Sequence, residues 1–278
     1  MGSRSVGPGE RPTKPDLSFA KGQVKPYVER VETAAQISGV RAAQAIGKAP
    51  DMGGGPITPA YLESVYWWAY LHPRGIWVFE RQWLVNAILF GNYARLCDAA
   101  LDALGERLPG LTIQIACAYG DLTHRLCQRV RAGEGRLDVV DVVPAQIGNL
   151  RDKLSPAAPV RTLLMDSAAL DLPDARYDRA LMFFLLHEQP DAWRRKTIAE
   201  ALRVVRPGGR IVVVDYARPR WWNPLRYGLR PVLSRLEPFA LDLWRVEIDA
   251  FLPPSAAVHE RRRRTFFGGL YQAIVIER

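Results

Sequence analysis

The sequence predicts an α/β fold: a parallel sheet with helices on both faces, preceded by an aromatic helical N-terminal region. Three observations carry this. From Leu111 onward, apolar runs of strand length alternate with stretches of helical period, the order that builds a parallel sheet. Residues 137–143 (Leu-Asp-Val-Val-Asp-Val-Val) are almost continuously apolar, as a strand covered on both faces must be. Residues 112–123 (Thr-Ile-Gln-Ile-Ala-Cys-Ala-Tyr-Gly-Asp-Leu-Thr) read as a buried strand, a turn of small residues and the start of a helix.

Taken in order, residues 1–58 read as a largely flexible extension. Residues 1–15 are Gly, Pro, Ser and charge, and residues 48–59 hold Gly53, Gly54 and Gly55 among prolines. Between them, residues 24–46 carry a helical period (Val28, Val31, Ala35, Val40). Residues 59–105 form a helical lid or substrate region. Tyr61, Val65, Trp68, Tyr70 and Leu71 share a helix expected to stop before Pro73. Trp77, Phe79, Trp83, Leu84, Ile88 and Leu89 continue the period to Gly91, and Asn92 opens a helix through Tyr93, Leu96, Ala99, Ala100 and Leu104. Helices this aromatic either pack on the domain that follows or wall off an apolar ligand.

Residues 106–278 are the Rossmann-like domain. Strands are expected at 113–117, 137–143, 160–164, 177–186 and 208–214, helices at 145–154 and 193–205, and a late, sheet-terminal strand at 271–276. A cap insertion occupies about residues 217–255. In it Trp221, Trp222, Leu225, Leu229, Val232, Leu233, Leu236 and Phe239 fall mainly on one side of a helical projection, with Arg226, Arg230 and Arg235 beside them. That composition suits an interfacial segment on a membrane surface. Pro224, Pro231 and Pro238 would break a long helix, and a broken cap over the site is the alternative. The basic run 261–264 reads as a solvated turn.

The bulk properties narrow the classes. A chain of 278 residues, 48% of them hydrophobic, can bury a full core, and a formal net charge of +9 favours acidic partners. The aromatics sit in apolar helices instead of interleaving with Lys and Arg, so nucleic acid is not an expected partner. Three cysteines without a CxxC make neither a disulfide framework nor a structural zinc site and favour a reducing compartment. No uncharged apolar stretch of spanning length and no apolar signal core stand out, so the expected location is cytoplasmic. Oligomeric state is not legible.

In an open α/β sheet, ligands bind beyond the carboxyl ends of the strands. The small residues Ala116, Ala118 and Gly120 let a ligand approach the backbone at a helix N-terminus. Asp141 ends the second strand, about 20 residues after that turn, the spacing at which a carboxylate meets ribose hydroxyls. Asp166 and Ser167 end the third strand, where Asp166 would accept from an adenine amine or cap a helix. Tyr119 and Asp121 lie in the first turn as candidate catalytic groups. His187 ends the fourth strand as a candidate base, ligand contact or structural histidine. A hard cation would draw on Asp121, Asp141, Asp166 or Glu188, but spacing names no metal site.

These residues resemble the class I S-adenosylmethionine-dependent methyltransferases, and among them the quinone methyltransferases. The resemblance rests on residues 113–123, Val139-Val140-Asp141-Val142, residues 165–173, Tyr177-Asp178 and the helix-ending run Ala201-Leu202-Arg203-Val204-Val205-Arg206-Pro207-Gly208-Gly209-Arg210. It spans roughly residues 106 to 215. Residues 66–73, 79–86, 116–121 and 267–272 are further similar to a rhodoquinone-biosynthesis (RquA) family, over most of residues 59–278. That resemblance implies S-adenosyl-L-methionine as an amino donor, a divalent metal (manganese), and ubiquinone as a lipid-soluble substrate, its ring methoxy group exchanged for an amino group to give rhodoquinone. It also implies an enzyme lying peripherally on the inner membrane, or on the matrix side of a mitochondrion. Gln114 stands where the resembling methyltransferases carry an acidic residue, and Ala116 and Ala118 stand where they carry glycines. A conventional quinone or small-molecule methyltransferase therefore remains open beside the aminating reading, as does an inert cofactor-fold scaffold.

Overall fold

The structure, a computed structural model, describes residues 58–66, 73–254, 256 and 258–278. The extension 1–57, the helix expected within it and the aromatic run 67–72 lie outside the described residues. Seven strands form one sheet in the order β3-β2-β1-β4-β5-β7-β6. They are β1 (Leu111–Ile115), β2 (Arg136–Asp141), β3 (Val160–Leu164), β4 (Tyr177–Phe183), β5 (Val205–Tyr216), β6 (Glu260–Phe266) and β7 (Tyr271–Glu277). The first five run parallel; β7 is antiparallel to both β5 and β6. The apolar runs decide who sits in the middle: Ile113, Ile115, Ala180, Leu181, Val212 and Val213 are fully buried on β1, β4 and β5. The carboxyl ends of β1 and β4 are neighbours at the sheet's centre, and the connections leaving them make the crevice where a ligand would sit.

The helices are α1 (Ala60–Val65), α2 (Pro73–Phe79), α3 (Gln82–Ile88), α4 (Tyr93–Leu104), α5 (Leu122–Ala132), α6 (Pro144–Lys153), α7 (Asp191–Val204), α8 (Leu225–Leu236) and α9 (Asp242–Arg245). Helix α4 packs on β4, β5 and β7 through Leu96, Ala100, Leu101 and Leu104, so it belongs to the core of the sheet domain. Asn92 precedes α4 without capping it; its amide donates back to the carbonyls of Leu89 and Phe90.

The elements depart from sequence expectation in four places, each for a physical reason. The period over residues 77–89 divides into α2 and α3, because the Glu80 carboxylate at the break accepts from Lys153 Nζ and Asn149 Nδ2, each at 2.6 Å. Trp77 and Trp83 are 64% and 66% exposed, so these aromatics neither fill the core nor face the crevice. The basic run 261–264 is a strand, not a turn: β6 is an edge strand whose side chains project to solvent on both faces, which removes the apolar signal. Helix α8 runs through Pro231, which costs it one backbone donor at the surface without ending it.

The Arg206-Pro207-Gly208-Gly209 segment lies within β5, and the β4–β5 register shifts there, pairing Val205 with Tyr177 but Arg210 with Arg179. A Cβ on Gly209 would meet the Asp178 carbonyl at 2.8 Å, so only glycine lets the two strands approach.

Candidate active site

The turn after β1 is built from the backbone outward. Ala116 takes φ +73°, a left-handed conformation that favours glycine, and its N–H donates to the Val140 carbonyl at 2.8 Å. Gln114, fully buried, staples the turn: its Nε2 donates to the Ala116 carbonyl and its Oε1 accepts from the Thr123 hydroxyl, both at 3.0 Å. Gly120 has φ +80°, and a Cβ there would fall 2.5 Å from the Tyr93 hydroxyl. That hydroxyl donates to the Tyr119 carbonyl and accepts from Leu122 N–H, tying turn, α4 and α5 together.

Asp141 closes the other side of the turn. Its two oxygens each accept one backbone N–H, from Cys117 and Val143, at 2.8 Å. Burial pushes its carboxyl above the ordinary range, against the pull of those amides. The Tyr119 hydroxyl accepts from Gln146 Nε2 at 2.7 Å and its ring stacks on Phe79, 5.9 Å between centroids. Asp166 accepts Ala168 N–H at 2.8 Å, and the Ser167 hydroxyl meets Thr197 Oγ1 and Gln189 Nε2.

His187 lies in a short 3-10 turn, Leu186–Glu188, held by a buried acid. Asp215, at the end of β5 and inaccessible to solvent, accepts the N–H groups of Leu186, His187 and Tyr216. It also stands 3.0 Å from His187 Nδ1. On the other ring nitrogen, Nε2 has Glu188 at 3.7 Å and Glu237 at 3.8 Å. Burial works against charge on the ring, but the carboxylates of Asp215, Glu237 and Glu188 outweigh it and push the pKa up to about 9. The surrounding carboxylates thus favour the charged imidazole. Arg194, fully buried, fixes the cluster by donating to the carbonyls of Leu186 and Phe239.

The structure brings Ala116, Ala118, Tyr119, Asp141, Asp166, Ser167 and His187 onto one cavity of about 170 Å³. Gly120 and Asp121 line a separate depression with Glu80 and Lys153. Asp121 precedes α5 without capping it, and its Oδ1 is buried with no hydrogen-bond partner among the described residues. Sequence reasoning missed Asp215, Glu237 and Gln146, while Tyr61, named in the aromatic lid region, does line the cavity. Asp215 was findable, since it ends β5 as Asp141 ends β2; Glu237 follows an exposed helix, and nothing local marks it. Among the described residues, no three His, Cys, Asp or Glu side chains are grouped so as to hold a metal ion.

Residues 113–209 match the family described as "Methyltransferase domain". The chain is 27% identical over 163 residues to a ubiquinone/menaquinone biosynthesis C-methyltransferase of Stutzerimonas stutzeri, covering 55% of this chain and 62% of that protein. It is 31% identical over 138 residues to a demethylmenaquinone methyltransferase of Thermus thermophilus, covering 49% and 61%. The chain thus spans less than two thirds of the length of these relatives. Among solved structures, human N-acetylserotonin methyltransferase in complex with SAM is similar in fold, with a TM-score of 0.51 at 17% identity over 78% of this chain and 62% of that one. The sheet has the fold of the class I methyltransferases, and the matched segment runs from within β1 into the first part of β5.

Proposed function

We propose that this chain is an S-adenosylmethionine-dependent transferase acting on a quinone ring. In this reading it converts ubiquinone to rhodoquinone, exchanging a ring methoxy group for an amino group, with S-adenosylmethionine as amino donor and manganese assisting. The observation that carries the reading is one cavity at the strand ends with Asp141 and His187 on its wall. Asp141 holds its two carboxylate oxygens at the cavity wall at the end of β2, the place where a carboxylate suits two vicinal ribose hydroxyls. The small side chains of Ala116 and Ala118 leave the backbone accessible to the nucleoside. Because the Gln114 amide is spent inside the turn, no carboxylate stands where the resembling methyltransferases hold the methionine amine. That supports a pose in which the α-amino nitrogen is free to react.

Release of a ring methoxy group as methanol takes up a proton, and the amine nitrogen gives one up as its bond to the ring carbon forms; His187 on the cavity wall is placed to relay it. Manganese rests on the resemblance alone, and the steps above use only protein groups. The second reading is a conventional quinone or small-molecule methyltransferase; it is favoured by the names of the two relatives, both methyltransferases. Incubation with ubiquinone and S-adenosylmethionine, with and without manganese, read by mass spectrometry, separates the readings. Loss of a methoxy and gain of an amino group is the expected outcome. Gain of a methyl group would transfer the assignment to the second reading, and an unaltered quinone would remove both.

A further inference from the structure

We propose that the surface around the cavity mouth is a docking face for an anionic lipid bilayer, through which a lipid-soluble ligand reaches the cavity. The proposal rests on the quinone reading for the ligand only; the lipid contact stands on the surface itself. Ile88 both lines the cavity and is 40% exposed, which makes it part of the mouth. Two residues on, Phe90 stacks against Phe267 of the β6–β7 turn, 5.8 Å between centroids. Gly268 beside it lies against Trp222, whose indole a Cβ there would meet at 3.2 Å. Trp221 and Trp222 are 76% and 54% exposed, and the Tyr227 hydroxyl donates to the Trp221 carbonyl. Three segments distant in sequence thus make one exposed aromatic surface. Phe90 and Phe267 hold φ of +51° and +49°, a strained backbone for bulky side chains, and both remain in solvent. Strain spent on exposing aromatic rings points to something that covers them.

Charge identifies the cover. Residues 217–236 contain Arg218, Arg220, Arg226, Arg230 and Arg235 and no acidic residue. None of the five takes part in an ion pair among the described residues. The basic strand β6 behaves differently: Arg261 pairs with Asp249, Arg262 with Glu260 and Glu277, and Arg263 with Glu247. Three of the four arginines of the β6 run are paired within the protein, whereas all five in residues 217–236 are left open. A second copy of the chain would set like charge against like charge in a two-fold contact. Tryptophan and unpaired arginine beside apolar surface fit the headgroup region of an anionic membrane. The described helices include none long and apolar enough to cross a membrane, so the contact is interfacial.

Flotation of the full chain tests this, with phosphatidylcholine vesicles containing or lacking phosphatidylglycerol. The expected result is binding to the anionic vesicles that salt reverses. Trp221→Ala/Trp222→Ala should weaken it by about tenfold or more. Arg226→Gln/Arg230→Gln/Arg235→Gln should weaken it roughly a hundredfold, while Arg261→Gln/Arg262→Gln/Arg263→Gln should change it little. Circular dichroism confirms folding of each variant, all altered at surface positions. Four results would overturn the proposal: no flotation, unchanged flotation of the tryptophan variant, equal loss in the two arginine sets, or a wild-type dimer that the tryptophan variant dissociates. Conversion of ubiquinone in detergent is read separately, so failure of the quinone reading and failure of lipid docking give different patterns.

Discussion

At Ala116 and Gly120 the same left-handed backbone is met by two different side chains, and the neighbours explain which tolerates change. Ala116 already bears its Cβ at φ +73°. Ala116→Gly removes that strain while adding chain entropy to the unfolded state, so its stability should be unchanged or higher by about 1 kcal/mol. Gly120→Ala drives a methyl against the Tyr93 hydroxyl and should cost about 2 kcal/mol or more, read as a lower denaturation midpoint. At His187 the folded pKa of about 9 lies above the ordinary 6.5. The stabilisation this gives is fully present below pH 6.5 and is lost as pH rises through 9. Denaturant titrations of the wild type should therefore show stability falling across that window, and His187→Gln should flatten the fall. An equal decline in both proteins would mean that His187 is not charged in the fold.

Among the elements, those that are buried were readable and those held by distant contacts were not. Strands β1, β2, β4, β5 and β7 announce themselves by apolar runs because one or both faces must leave water. Strand β6 sits at the sheet edge with exposed arginines and reads as loop. The α2–α3 break could not be seen, since Glu80 finds Asn149 and Lys153 some seventy residues away. The same holds for the acid cluster: His187 and Asp215 lie on strand ends, whereas Glu237 reaches them from the end of α8. Arg194 joins these elements by bonding the Leu186 and Phe239 carbonyls from a fully buried position. Arg194→Ala leaves both carbonyls unpaired and should cost roughly 3 kcal/mol, measured by equilibrium unfolding.

On the scale of the whole molecule, a parallel sheet collects groups from β1 to β5 at one edge, so residues a hundred positions apart meet in one crevice. Strand-end position alone pointed to Asp141, Asp166 and His187, because topology fixes that edge before any side chain is placed. The contribution of α2 and α3 to the cavity, Phe79, Val85 and Ile88, depends on tertiary packing and was legible only as composition. Everything proposed about chemistry requires the adenosyl group to lie between the Ala116–Gly120 turn and Asp141. Isothermal titration of the wild type and of Asp141→Ala with S-adenosylmethionine measures that requirement. Saturable binding to the wild type is expected, with affinity lower by about a hundredfold in the variant, the loss of two hydrogen bonds to a carboxylate. No heat from the wild type, or equal affinity in the two proteins, would contradict it.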